Sequence, residues 1–255
     1  MTVSTTPPAA DQVQEALTDW CPEYRASLLP SPGDAVLPAT SVLDPAWLTA
    51  RVAESARRYR TADPRVAAVL WWYSASTVLL TPALATLAVT RWAVDPRPAA
   101  TTLHLRRDGL PSGARSSDVV GNTPESLGAA LGEAVQSYVG ALAEVAPVRP
   151  RAAWAIAVDS VSGALLRAGT TIGEPTQATA LAAPLIAAAG RATGERPPPP
   201  RFVDVNGARF VRRASCCLLY RAPGQPMCTS CPARRPDERR EDLARLATAM
   251  GGRRG

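Results

Sequence analysis

Between Arg65 and Arg91 the chain reads VAAVLWWYSASTVLLTPALATLAVT, without one charged side chain. A stretch of that length and apolarity must either cross a bilayer or lie at the centre of a protein core. Ser74, Ser76, Thr77, Thr81 and Thr86 dilute it, Pro82 interrupts it, and Trp71 and Trp72 lie inside it rather than at both flanks, where a bilayer interface would hold them. The pattern predicts two buried helices broken around Thr81 and Pro82, and no transmembrane span.

The rest of the chain can surround such a core. Val13, Leu17, Trp20 and Tyr24 recur at helical spacing and predict an amphipathic helix over 9–30, followed by the loop PSPGDAVLPATSVLDP. Asp44 and Pro45 form a cap and first-turn pair ahead of AWLTARVAESARRYR. TTLHLRRDG alternates and ends in Asp-Gly, which predicts a short strand and turn, with a minor β element near 101–120. Thr123-Pro124-Glu125 opens a helix whose face is marked by Leu127, Leu131, Val135, Tyr138 or Val139, and Leu142. Gly132 and Gly140 inside it permit close packing. Two Ala-rich helices are expected over 151–168 and 175–192, and GERPPPP then forms a stiff linker.

Past that linker RFVDVNGARFVRRAS is two short alternating runs joined at Asn206-Gly207, the signature of a tight hairpin whose second strand leads into Cys216. DERREDLARLATAM is a short charged helix before a Gly/Arg tail. The expected fold is mainly α with a minor β component, α+β in class. It divides into a helical region over 1–196, a hairpin-borne cysteine module over 200–236, and a short helix with its Arg/Gly tail over 237–255.

The module holds four of the five cysteines: Cys216 and Cys217 adjacent, then Cys228 and Cys231 in a Cys-x-x-Cys. The N-terminal residues show no basic region followed by an apolar core, so no secretory signal is expected and the protein is placed in the cytoplasm, free or associated with a membrane. Stable disulfides are disfavoured there. A structural zinc site is a serious rival, but only Cys228 and Cys231 have knuckle spacing, and neighbours on a regular strand point to opposite faces. A [2Fe–2S] cluster takes two thiolates per iron and tolerates irregular spacing better. A Rieske centre would need two histidines, and His104 is the chain's one histidine, more simply read as a strand residue. Arg212, Arg213, Arg221, Arg234 and Arg235 flank the cysteines; they would offset a cluster's negative charge, or would simply solvate the surface. Cys21, beside Trp20 on an apolar helix face, reads as a buried structural thiol.

RRASCCLLYRAPGQPMCTSCP, from Arg212 to Pro232, strongly resembles the C-terminal signature of the FhuF-like ferric-siderophore reductase family. The Arg before the cysteine pair, the Leu-Tyr-Arg after it and the Pro-Gly loop all take part in the resemblance. It implies a [2Fe–2S] cluster held by Cys216, Cys217, Cys228 and Cys231. It also implies one-electron reduction of siderophore-bound Fe(III), with hydroxamate chelates favoured. Fe(II) is held less tightly than Fe(III) by hard oxygen donors, so one electron turns a captive ion into a releasable one. Such outer-sphere transfer needs no general acid, base or nucleophile, and no catalytic residues beyond the cluster are expected.

No Gly-x-Gly-x-x-Gly follows a strand and no Walker-type loop occurs, so a separate electron donor is expected, a ferredoxin-like protein or reductase attracted by the flanking arginines. The helices before the linker are expected to form a cleft beside the module. Two rivals are weighed: a zinc- or cluster-stabilised nucleic-acid-binding or regulatory protein, and a siderophore-binding protein whose cluster is structural. A net charge of +6 suits the first, but the basic residues form no aromatic-interleaved stripe, and no nucleic-acid partner is expected.

Overall fold

The computed structural model describes residues 7–251; the Gly/Arg tail expected after the last helix lies outside them. The uncharged run is one helix, α4. Ahead of it come α1 (Ala10–Trp20), a 3₁₀ turn over Pro22–Tyr24, α2 (Arg25–Leu28), the strand β1 (Ala35–Pro38) and α3 (Pro45–Tyr59). α4 spans Pro64–Thr90, capped at its start by the Asp63 carboxylate, which accepts from the N–H groups of Arg65 and Val66. The expected break at Thr81-Pro82 does not occur. A proline inside a helix costs about 3 kcal/mol, which the burial of this helix on nearly every side outweighs. The Thr81 hydroxyl donates to the Thr77 carbonyl at 2.6 Å, next to the carbonyl that Pro82 leaves without its donor. α4 is long and apolar enough to cross a membrane, yet 78% of its most apolar window is buried inside the protein.

After α4 come β2 (Ala93–Val94), β3 (Thr101–Leu105), β4 (Pro111–Ser116) and β5 (Val119–Gly121). β3 is the centre of an antiparallel sheet in the order β1-β3-β4, and β2 pairs separately with β5. The β element expected near 101–120 is therefore present, with two strands outside it that were not expected: β1, inside the stretch read as a loop, and β2. The single helix expected over 9–30 ends at Trp20, because Pro22 excludes Cys21 from helical geometry (φ −136°, ψ 79°). Trp20 consequently leaves the apolar face and is 79% exposed, while Cys21 is buried.

The remaining helices are α5 (Pro124–Val145), α6 (Pro150–Thr171), α7 (Pro175–Ala180) and α8 (Ala182–Thr193). α7 and α8 replace the single helix expected over 175–192, separated at Leu181. α5 starts where its cap predicts, Thr123 accepting from the Ser126 N–H. It packs on α8 through Gly128 and Gly132, where an added Cβ would lie 2.7 Å from the carbonyl oxygens of Leu185 and Ala189 respectively. Gly140 faces open space and serves no such contact. α4 and α6 pack against each other at the centre, with the Trp72 indole donating to the Ala153 carbonyl at 2.9 Å and the Ser76 and Ser160 hydroxyls 2.8 Å apart. The core around them includes Leu80, Leu84, Tyr138, Leu142 and Leu165.

The hairpin is built from β6 (Phe202–Val205) and β7 (Ala208–Val211), and α9 (Pro236–Gly251) closes the described chain. Asn206 (φ 48°) and Gly207 (φ 77°) both adopt the left-handed backbone that a two-residue turn between twisted strands requires. Phe210, Leu243 and Ala247 form a small separate core where the hairpin meets α9.

Candidate iron–sulfur site

β7 stops at Val211, so the strand does not run into Cys216 as expected. Four residues intervene, and they are held by one carboxylate. Asp159, in the middle of α6, accepts from the Ala214 N–H at 2.8 Å, the Ser215 N–H at 2.9 Å and the Ser215 hydroxyl at 2.5 Å. Backbone donors that would otherwise lie buried and unpaired are satisfied by an ionised acceptor, the stronger kind of hydrogen bond. The sequence reading missed Asp159. Its signal was present: a lone acid within AWAIAVDSVSGALL, where no neighbouring base explains it.

Arg213 is the second member of this support. Its side chain is 6% exposed, its Nε lies 3.6 Å from the Asp159 carboxylate, and its guanidinium sits 4.6 Å from the centre of the Tyr73 ring. Nη1 donates to Cys228 Sγ at 3.3 Å and reaches Cys217 Sγ at 3.9 Å. Burial works against its charge, but Tyr73, Cys217 and Cys228 together hold its pKa above the ordinary arginine value. Nε and Nη2 are buried without a hydrogen-bond partner. A buried cation facing two of the sulfurs fits an anionic group there better than neutral thiols.

Past Ser215 the chain turns sharply, with Leu218 in the left-handed region at φ 59°. That conformation costs of order 1 kcal/mol for a side chain of this kind and turns the following backbone inward. The Leu218 N–H donates to Cys216 Sγ at 3.4 Å, and the Leu219 N–H serves Cys217. Both adjacent thiols are thereby brought to one side, which a regular strand would forbid. Cys217 is buried against Val66 and Leu70 at the start of α4. On the returning strand of the loop the Cys231 N–H donates to the Cys228 carbonyl at 3.0 Å, closing the turn that sets these two cysteines together.

The four thiols meet as two pairs. Cys216 and Cys231 have their sulfurs 4.0 Å apart, and the Cys228 thiol is hydrogen-bonded to Cys217. Each pair takes one member from the adjacent dipeptide and one from the Cys-x-x-Cys. The Cys228 hydrogen bond, the Leu219 N–H and the Arg213 charge bring the Cys217 thiol down to about 5, while its partner Cys228 is pushed up. Burial raises Cys216. Among the described residues no three His, Cys, Asp or Glu side chains gather as a single metal ion would need. Two pairs can supply two thiolates to each of two irons, as a [2Fe–2S] cluster requires.

Of the other flanking arginines, Arg221 lies 3.9 Å from Asp63 and Arg234 3.0 Å from Asp242, so these two are partly spent on the protein's own acids. His104 sits on β3, buried and remote from the thiols. The expected cleft also lies elsewhere. An opening of about 880 Å³ does adjoin the module, but its walls are the proline linker, the hairpin, the cysteine loop and α9.

Residues 213–232 match the family model described as the FhuF 2Fe-2S C-terminal domain. The resemblance noted in the cysteine motif is upheld by this match, and the cofactor of the segment is a [2Fe–2S] cluster. No curated protein matches the chain.

Proposed function

Starting from a C-terminal FhuF-type 2Fe-2S domain, we propose that this protein reduces siderophore-bound Fe(III) in the cytoplasm, so that iron leaves its chelate as Fe(II). Cys216, Cys217, Cys228 and Cys231 would hold the cluster. When bound, a [2Fe–2S] cluster supplies a reversible one-electron change at low potential. The observation that carries the reading is the uneven burial of this set. Cys217 and Cys231 are buried, whereas Cys216 and Cys228 are half-buried beside the exposed Tyr220 and Met227. One side of the site is thus anchored in the protein and the other lies within reach of a docked chelate or donor.

The chain's own residues supply the rest. Asp159 fixes the loop, Arg213 offsets negative charge on the sulfurs, and the N–H groups of Leu218 and Leu219 donate to them. The Arg213 charge and the two N–H groups favour added negative charge and so raise the potential. The electron comes from a separate donor protein.

Anaerobic, chemically reduced full-length protein mixed with a ferric siderophore should reoxidise, with Fe(II) trapped by a ferrous chelator. Cys217→Ser and Cys228→Ser should lose the visible cluster bands and bring Fe(II) release to background, while Cys21→Ser retains both. Reduced protein that persists in a panel of ferric siderophores but is oxidised by a free ferric salt would overturn the proposal.

A further inference from the structure

Charge is spread unevenly around the cysteine loop. Arg221 and Arg234, close to the thiols, face Asp63 and Asp242 at 3.9 and 3.0 Å. The unengaged arginines gather instead in the cleft between the linker, the hairpin, the loop and α9, lined by Arg201, Arg212, Arg213, Arg239 and Arg240. Its single acid, Asp204, is held by Arg209 through contacts of 2.8 and 2.9 Å. Arg213 faces Asp159, and Arg240 meets Asp237 only at 4.0 Å, both side chains being 78% exposed. Arg201, Arg212 and Arg239 have no carboxylate partner among the described residues. Cations gathered without counter-charge repel one another, and an anionic partner removes that cost.

The form of the cleft says what kind of anion suits it. Its arginines stand on three separate segments, before β6, after β7 and on α9, in an opening of about 880 Å³. Charges so dispersed match carboxylates spread over a surface better than one compact ion. Asn206 and Ser230 add hydrogen-bond donors, while Phe202, Val211 and Leu243 form an apolar floor. An apolar centre within a polar, charged rim is the layout of a protein interface. Nucleic acid fits less well, since Phe202 is the one aromatic in the lining and packs against Arg209, 5.9 Å from its guanidinium.

The cleft adjoins the candidate cluster site. Ser230 and Pro232, on either side of Cys231, line it, and Arg239 donates to the Cys231 carbonyl at 3.3 Å. Arg213 lines it too, with Nη1 3.3 Å from Cys228 Sγ. The exposed Tyr220 and Met227 do not.

We infer that this cleft docks the protein that supplies the electron, that this donor presents a carboxylate-rich surface, and that the chelate is left the side of Tyr220 and Met227. The inference rests on the reductase reading above and gives its partner a surface and a charge. One electron passes from the donor, which is oxidised, to this protein, which is reduced; no bond forms or breaks.

An acidic plant-type [2Fe–2S] ferredoxin serves as the probe, with anaerobic full-length holoprotein. When both proteins are oxidised no electron moves, so calorimetry reads docking alone. Raising salt from about 0.05 M to about 0.5 M should weaken docking at least about tenfold. Arg201→Glu and Arg240→Glu should each weaken it about tenfold, and slow reduction by the reduced ferredoxin by a similar factor, with the cluster bands unchanged. Arg149→Glu, exposed and outside the cleft, should change neither. Should a charge reversal disturb the bands, Arg201→Gln and Arg240→Gln decide the matter, with the same direction expected. No docking at low salt, or docking indifferent to the cleft variants, would overturn the inference. So would displacement of the ferredoxin by a neutral gallium(III) tris-hydroxamate, which accepts no electron, or a DNA duplex held as tightly by the same arginines. If the ferredoxin docks and reduces this protein but no ferric siderophore reoxidises it, the reductase reading fails and the docking assignment stands. If the ferredoxin ignores the cleft while chemically reduced protein still reduces ferric siderophores, the docking assignment fails alone.

Discussion

The helical body and the cysteine module reach their order by different means. In the body, Trp72, Leu80, Leu84, Tyr138 and Leu142 are fully buried around α4, each large side chain contributing roughly 1.5–3 kcal/mol by leaving water. In the module the apolar burial is slight: Phe210 with Leu243 and Ala247 on one side, Cys217 with Val66 and Leu70 on the other. Between these points the loop is fixed by the Asp159 carboxylate, the Arg213 guanidinium and the thiols themselves. A segment this short cannot bury enough surface to hold a single conformation, and metal ligation supplies what packing lacks. Loss of the cluster should therefore loosen the module and spare the body.

Asp159→Ala tests this division most severely. It removes the acceptor of two backbone N–H groups and leaves Arg213 buried without its carboxylate, a cost of about 3–5 kcal/mol. Alanine suits the middle of α6, so the cost should fall on residues 212–235. The purified variant should carry only a small fraction of the normal cluster absorbance, and amide exchange across 212–235 should accelerate by about two orders of magnitude. α4 and α6 should keep their protection. Asp159→Asn, which keeps the shape and gives up the charge, should fall between. Collapse of protection in α4 and α6 together with the module would break the distinction.

Glycines of α5 sharpen it from the other side. At Gly132 a Cβ would meet the Ala189 carbonyl oxygen at 2.7 Å, backbone that cannot simply rotate away. Gly132→Ala should destabilise the protein by about 1–3 kcal/mol, read as a lower urea midpoint, with the cluster spectrum intact. Gly140→Ala meets nothing within 4 Å and should be neutral or stabilising by up to about 1 kcal/mol. Equal effects at the two positions would mean that α5 and α8 are not packed as closely as described.

The same contrast governs what could be read beforehand. Local chemistry was legible: the cap and proline of α5, the Asn206-Gly207 turn, and the spacing of the four cysteines each rest on a few adjacent residues. Decisions made by distant partners were not. Pro82 should end a helix by local rules, and the core around α4 overrides it. β1 hides in a loop-like sequence because its strand character comes from pairing with β3, as in Leu37 opposite Leu103. Asp159 clamps backbone 55 and 56 residues away, and nothing adjacent to it announces that partner. The cleft likewise needs the linker, hairpin and α9 brought together before its arginines share one space.

The smallest expected effect belongs to the body alone and concerns pH. His104 is buried on β3, its Nδ1 has no hydrogen-bond partner, and burial holds its pKa below the ordinary histidine value, with Arg115 adding to the effect and Asp34 opposing it. The unfolded chain takes up a proton near pH 6.5, whereas the folded chain resists protonation until lower pH. Above about pH 6.5 both states are neutral at this site and stability is unaffected by it. As pH falls below that value the unfolded state binds more protons, and stability declines until the folded histidine also titrates. The urea midpoint of the wild type should thus drop between about pH 7.5 and pH 5 by more than that of His104→Gln, since carboxylate effects are common to both. The cluster bands, reporting on the remote module, should not distinguish the two proteins over this range. Parallel midpoints in wild type and His104→Gln would mean that His104 takes up its proton in the fold as readily as in the unfolded chain, and that burial does not hold it neutral.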